Sequence, residues 1–315
     1  MNNVSGDGYL LPWHSAIILD NRRVRSAAIR YFQVFTLTTI VCTGIFGNVC
    51  SFLVMTSRRF RVFSYSQYLA GLAVADSVTL IGYVPPLMNY ISYPNMIVSY
   101  SADIACGFHE YIFEVNDLIG SWVVVVITIE RFAIVVWPFA TRTIATPAFS
   151  RQVVAVTTVV CYCTYVYLLF VMEYSDRRNS CVIPEYWGNV YYRMAPQIHV
   201  IIPIITISIL NFLLVIFLRR SQAFAAGAGK SASTKKATMM VITVSILFVI
   251  FTFPASLFSM LTTIIVMNED TSLAGTAITG VIYAANAGIN FYIYLLAGDE
   301  VRLYVKEVLG RLCNK

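Results

Sequence analysis

Seven apolar runs dominate this chain, at 31–56, 65–90, 105–129, 152–172, 194–218, 238–267 and 272–297. Each is long enough to cross ~30 Å of hydrocarbon as a helix, which takes about 20 residues. No water reaches that depth, so backbone N–H and C=O groups must be paired within the segment or in a closed barrel. The runs are continuous rather than alternating, which argues against the barrel. Composition agrees: 58% of the 315 residues are hydrophobic and 12% charged, with mean hydropathy +0.72, outside the range of a soluble domain. The expected fold is an all-α membrane protein, a seven-transmembrane helix bundle over 31–297. Residues 1–30 are read as an extracellular N-terminal tail, and 298–315 as a cytoplasmic amphipathic helix and tail.

Orientation follows from Lys and Arg in the short loops. Arg58, Arg59 and Arg61 follow the first run, Arg142 and Arg151 the third, Arg219, Arg220, Lys230, Lys235 and Lys236 the fifth, and Arg302, Lys306, Arg311 and Lys315 the seventh. The alternate loops are poor in both, Arg177 and Arg178 aside, which places the C-terminus in the cytoplasm. Arg22, Arg23, Arg25 and Arg30 oppose this at the first helix alone. Residues 1–30 are polar and show no cleavable signal, so the first helix is read as the insertion signal. The net charge of +6 then describes a basic face toward anionic lipid headgroups, not a nucleic-acid binder.

Cysteine use fits this topology. Cys42, Cys50, Cys161 and Cys163 fall inside helices, where a free thiol behaves as a small apolar group. Cys106 and Cys181 both face the oxidising side, where a pairing would tie a long loop to the bundle. Palmitoylation and a free thiol are equal readings for Cys313, and Asn3-Val4-Ser5 is a glycosylation sequon. No metal-ligand spacing, phosphate loop or nucleophile elbow points to an enzyme.

Ionisable and amide groups inside the runs are the candidates for function, because each is costly in lipid without a partner. Asp76 lies in the second run, with Asn48, Asn116, Asn286 and Asn290 near the same depth. They are expected either to satisfy one another or to hold a sodium ion at Asp76 and Asn116. Glu110, Glu114 and Asp117 are spaced to share one helical face. They await either internal partners, Arg193 or His199, or a basic group of a ligand. Phe113, Tyr83, Trp122, Tyr283 and Tyr191-Tyr192 are candidate walls for such a cavity. Glu130-Arg131-Phe132 ends the third run, an ionisable pair at a membrane boundary that reads as a switch.

In order and spacing these residues resemble the rhodopsin-like (class A) G-protein-coupled receptors over nearly the whole chain. Gly47-Asn48 is similar to the first-helix motif and Leu72-Ala73-Val74-Ala75-Asp76 to the second. Cys106 and Arg131 stand at the family's spacing. Glu130-Arg131-Phe132 with Pro138-Phe139 resembles the Asp-Arg-Tyr box and the loop after it. Pro203, Phe248 and Pro254 match positions in helices five and six. Asn286, Asn290 and Tyr294 match the seventh-helix pattern, and Asp299-Glu300-Val301-Arg302 resembles the start of the eighth helix. The chain also departs from the pattern. The fourth helix lacks its tryptophan, Thr252 stands for the sixth-helix toggle tryptophan, Asn211 for a tyrosine and Phe291 for the seventh-helix proline. Thr234 lies near the usual acidic clamp on the arginine, and Gly120 replaces a serine of the sodium site.

The resemblance implies a receptor whose extracellular ligand, bound among Glu110, Phe113, Glu114, Asp117, His199 and Tyr283, opens the cytoplasmic ends of helices three, five and six. Arg131 would meet a heterotrimeric G protein, Pro138-Phe139 would dock it, and arrestin is a further partner. Asp76, Asn48, Asn116, Asn286 and Asn290 would form the relay, Tyr294 a switch, and no cofactor is implied beyond an allosteric sodium ion. Ala284 in place of the retinal lysine argues against an opsin, and Phe113 in place of an aspartate against an amine receptor. Asn286 to Phe291 resembles invertebrate FMRFamide-type neuropeptide receptors. A chemosensory receptor for a small molecule is the alternative, and a transporter the more distant one, since the halves show no inverted repeat.

Overall fold

The computed structural model of the chain describes residues 27–85, 87, 103–142, 145–175, 180–224, 230–264 and 269–313. Asn3, Pro86, Arg177 and Arg178, and the side chains of Tyr192, Arg193, Thr234 and Cys313, lie outside the described residues. The helices are α1 Ala27–Thr56, α2 Ser64–Gly82, α3 Asp103–Val136 and α4 Pro147–Tyr165, the last followed by a single turn at Leu168–Val171. Helix α5 has two parts, Glu185–Pro196 and Ile202–Phe224, joined by a π turn at Gln197–Ile201. Helices α6 Lys230–Ile264, α7 Glu269–Ala297 and α8 Asp299–Cys313 complete the chain.

Among the described residues six helical stretches are long and apolar enough to cross a membrane: Tyr31–Thr56, Asp103–Val136, Pro147–Val171, Gln197–Arg220, Thr238–Phe258 and Ala277–Ala297. Helix α2 is the seventh member of the bundle. Ser64, Gln67, Asp76 and Ser77 make it the more polar one, and it packs against α1, α3, α4 and α7. A helix enclosed by neighbours shows little surface to lipid, so it need not be apolar all round. Helix α4 is the opposite case, with Val156, Val159, Val160 and Phe170 of this span exposed to the surroundings. Lipid solvates such a face as well as a neighbouring helix would.

Several helices outrun the expected apolar spans. The α5 pair extends from Glu185 to Phe224 around the expected 194–218, and α6 begins at Lys230 rather than 238. Polar helix ends keep their hydrogen bonds once nucleated, whether or not lipid surrounds them. Helix α2 stops short of its run at a turn on Tyr83, whose backbone stays in the right-handed helical region, and helical turns resume at Val84. The π turn also has a sequence cause: Pro203 has no N–H to offer the carbonyl four residues back, that of His199, and the helix adjusts there.

Helix α3 runs through the centre and touches α2, α4, α5 and α6. The Cys106–Cys181 disulfide joins its first turns to a two-stranded antiparallel hairpin, β1 Glu173–Ser175 and β2 Ser180–Val182. Asp103 Oδ1 accepts the backbone N–H of Tyr174 at 2.7 Å beside it. At the seam of α1 and α7, a side chain on Gly44 would lie 2.8 Å from the Gly288 Cα and 2.6 Å from Leu80. Small residues permit this close backbone approach.

Two outcomes are expected from this packing. Gly44→Val should cost about 1–3 kcal/mol by overpacking, seen as a lower melting temperature in detergent and less protein at the cell surface. Cys181→Ser, which opens a loop whose ends are 75 positions apart in sequence, should cost roughly 2–4 kcal/mol, with the same assay as its check.

Candidate functional site

Three clusters of buried ionisable groups lie along the bundle axis. At the end remote from the disulfide, Glu130 and Arg131 close α3. Glu130 accepts hydrogen bonds from the Ser64 hydroxyl, from Tyr68 Oη at 2.8 Å and from Ser150 Oγ at 3.1 Å. Arg131 Nη2 donates to Ser64 Oγ at 3.0 Å and to Glu130 Oε1 at 3.3 Å, and its guanidinium lies 5.2 Å from the centre of the Tyr65 ring. Arg131 is only 4% exposed, and its Nε has no hydrogen-bond partner among the described residues. Arg131 is held by the first turn of α2 and by Glu130, which Ser150 of α4 holds in turn, and among the described residues no α6 acid bonds it. Phe132 packs edge-on to Trp137 and Phe217 of α5, while Pro138 and Phe139 lie exposed beyond the end of α3.

The middle cluster surrounds a cavity of ≈ 20 Å³ for the centres of water-sized spheres, enough for about one water. Asp76, Asp117, Ser121, Asn286 and Asn290 supply polar lining, with Gly120, Phe248 and Tyr283. Asn290 Nδ2 donates to Asp76 Oδ2 at 2.7 Å. Asn48 Nδ2 reaches across from α1 to the Ala287 carbonyl at 2.9 Å. The expected layer needs one correction: Asn116 donates to the Ile112 carbonyl of its own helix at 2.7 Å and is not among the cavity's lining residues. Asp117 is the α3 residue that faces Asp76 across that space, because the helix turns about 100° per residue. Tyr294 is fully buried nearby in sequence, in the main apolar core.

The third cluster lies toward the disulfide end. His199, presented by the π turn, has Nδ1 3.1 Å from Asp117 Oδ2 and Nε2 3.5 Å from Glu114 Oε2. Tyr283 Oη of α7 donates to the same Asp117 Oδ2 in a short hydrogen bond. The Tyr165 ring packs against the imidazole at 5.2 Å. Both ring nitrogens therefore face carboxylates, Nδ1 at hydrogen-bond distance and Nε2 at ion-pair distance only. Glu110 is separate, with His109 Nδ1 at 3.3 Å and the Gly82 carbonyl on the other side of that ring at 3.0 Å from Nε2.

Sequence reasoning placed Glu110, Glu114 and Asp117 on one stripe, and the structure divides them between two histidines. His199 was one of the two internal partners considered, and it serves Glu114 and Asp117 together. The aromatic walls need correction as well. Phe113 and Tyr83 stack edge to face at 5.1 Å inside the α2–α3 seam, both buried, and Tyr191 is fully buried. Tyr283 alone of that set lines the cavity among the described residues. Missed altogether were Ser64, Tyr65, Tyr68 and Ser150 around Arg131. Their signal was present: hydroxyls at 64, 65 and 68 occupy one helical face at the start of an apolar run, where water is absent.

Comparison with known proteins matches this arrangement. The family model for the 7 transmembrane receptor (rhodopsin family) covers residues 47–294. A probable G-protein coupled receptor of Caenorhabditis elegans is 26% identical over 206 residues, 60% of this chain and 47% of that protein. The somatostatin receptor type 5 of Rattus norvegicus is 22% identical over 289 residues, 89% of this chain and 78% of the receptor. The trissin receptor of Drosophila melanogaster is 28% identical over 161 residues, 48% of this chain and 23% of its own. The chain thus spans about half the length of the first of these relatives and less of the last. With the match running from Gly47 to Tyr294, through the Asp76, Arg131 and Asn290 clusters, the chain belongs to the rhodopsin family of seven-transmembrane receptors.

Proposed function

We propose that this receptor sits in the plasma membrane with its N-terminus outside, binds an extracellular neuropeptide and activates heterotrimeric G proteins. The observation that carries the reading is Arg131, a buried guanidinium gathered by Glu130, Ser64 and Tyr65 at one end of the bundle. A charge costs too much at such a place to serve packing alone. A small rearrangement of α2 against α3 frees it, and exposed Pro138 and Phe139 beside it offer a docking surface for a G protein. The basic residues Arg58, Arg59 and Arg61 before α2 and Arg219 and Arg220 in the last turns of α5 lie at the same end, as a cytoplasmic face requires. Arrestin would meet the same face.

The peptide assignment rests on relatives named for somatostatin and trissin and on the acidic groups of α3. Glu114 and Asp117 are already engaged by His199, so a basic ligand group would have to compete with the imidazole for them. Sodium at the Asp76 cavity would act as an allosteric ligand, with Asp117 rather than Asn116 completing its surroundings.

A screen of amidated peptides with calcium and cyclic-nucleotide readouts tests the ligand. Nucleotide exchange in reconstituted membranes tests the partner, and solute flux in liposomes without exchange would instead favour a transporter. Glu130→Gln should loosen Arg131 and raise ligand-free exchange about tenfold, equivalent to ~1.4 kcal/mol of bias between states. Arg131→Ala should abolish exchange at equal surface expression, and persistence of full exchange in that variant would refute the role given to Arg131.

A further inference from the structure

We infer that Asp117 is the coupling residue of this receptor, a hydrogen-bonded junction that does the work left vacant by Thr252, where a large aromatic would otherwise link the ligand end to the core. The inference rests on the receptor reading for its signalling consequence, but its geometry stands alone.

One oxygen of Asp117, Oδ2, gathers two helices onto α3. It receives His199 Nδ1 from the α5 π turn at 3.1 Å and the Tyr283 hydroxyl from α7. The same carboxylate lines the cavity that is also lined by Asp76, itself bonded to Asn290 of α7. Asp117 is thus the point where the polar cluster toward the disulfide meets the polar layer at mid-depth. Thr252 is fully buried, its hydroxyl has no hydrogen-bond partner among the described residues, and it is too small to span the two levels. Phe248, one turn along α6, borders the cavity instead.

The junction belongs to a closed bundle, because in the same structure Arg131 is buried against Glu130 and Ser64. Groups that make contacts in one state alone bias the equilibrium toward it. His199 and Tyr283 must part from Asp117 if α5 and α7 shift relative to α3, so weakening either bond favours opening. His199 also faces Glu114 of α3 and Tyr165 of α4, so a ligand group that draws the imidazole away acts on Asp117 directly. Loss of one such hydrogen bond is expected to change the open-to-closed ratio about tenfold.

The test places a bimane label at Met239→Cys, an exposed residue near the start of α6, with exposed Cys42 and Cys163 replaced, in the full chain in nanodiscs. Tyr283→Phe, which deletes one hydroxyl at almost constant volume, is expected to move the label toward its open-state emission by about tenfold in population. Asp117→Asn, which weakens the His199 contact as well, is expected to open the bundle at least as far, and the double variant to go no further than Asp117→Asn, since the Tyr283 contact is shared by both changes. Tyr111→Phe is the control. It deletes a hydroxyl that bonds the Tyr162 carbonyl between α3 and α4 at 3.0 Å, away from the junction, and should lower the melting temperature without opening α6. Unchanged emission in folded Tyr283→Phe and Asp117→Asn, or equal opening in Tyr111→Phe, overturns the inference. Opening without any rise in nucleotide exchange across a panel of G proteins would leave the junction standing and count against the receptor reading.

Discussion

A carboxylate inside hydrocarbon is tolerable only where other helices bring donors to it, and this requirement arranges the bundle. Three acids of α2 and α3 take donors from other helices: Asp76 from Asn290 of α7, Asp117 from His199 of α5 and Tyr283 of α7, and Glu130 from Ser64 and Tyr68 of α2 and Ser150 of α4. Apolar packing cannot choose between rotations of a helix in lipid, because the acyl chains compete equally for every apolar face. The polar contacts can, since a wrong rotation leaves an acid without a donor. Their placement at three depths along α3 makes that helix the reference for the others.

How far the chain could be read in advance follows from the same physics. The apolar runs were legible because only a helix of about 20 residues crosses lipid, and the motif spacing from Gly47 to Tyr294 carried the family. What periodicity does not encode is rotation about the helix axis at single-residue resolution. Asn116 and Asp117 are neighbours in sequence, and the helix aims one at its own Ile112 carbonyl and the other into the cavity. Phe113 failed as a cavity wall for a related reason. Gly82 leaves room for its ring, and a side chain there would come within 2.3 Å of it, so the phenylalanine sinks into the seam. A missing Cβ on a neighbouring helix is a tertiary fact that the run containing Phe113 does not contain.

The Arg131 cage shows what can replace an expected interaction. A threonine near the usual acidic clamp suggests an arginine free to swing, yet the guanidinium is buried. Ser64, Tyr65 and Tyr68 are each harmless as residues of an apolar run, and together they give Glu130 and Arg131 acceptors, donors and an aromatic face. The restraint has moved from α6 to α2, so α6 is free of a charged bond to α3 at this end among the described residues.

That shift divides the bundle mechanically. Helices α1, α2 and α7 are joined by Gly44 against Gly288, by Asn48 on the Ala287 carbonyl and by Tyr292 Oη on the Thr43 carbonyl at 3.0 Å. Phe291 strengthens this half, because it keeps a backbone N–H that a proline would lack, and α7 runs unbroken through it. On the other side α6 carries Pro254 inside its length. Its described side-chain tie to α5 is one hydrogen bond, Asn211 Nδ2 to Ser245 Oγ at 2.8 Å. A neutral bond of that kind contributes about 1 kcal/mol net, against close packing along the entire α1–α7 seam. Motion driven from the Asp117 junction therefore goes to α5, α6 and α3 itself, which moves against the frame of α1, α2 and α7, so that the bonds of Asp117 to Tyr283 and of Arg131 to Ser64 part together.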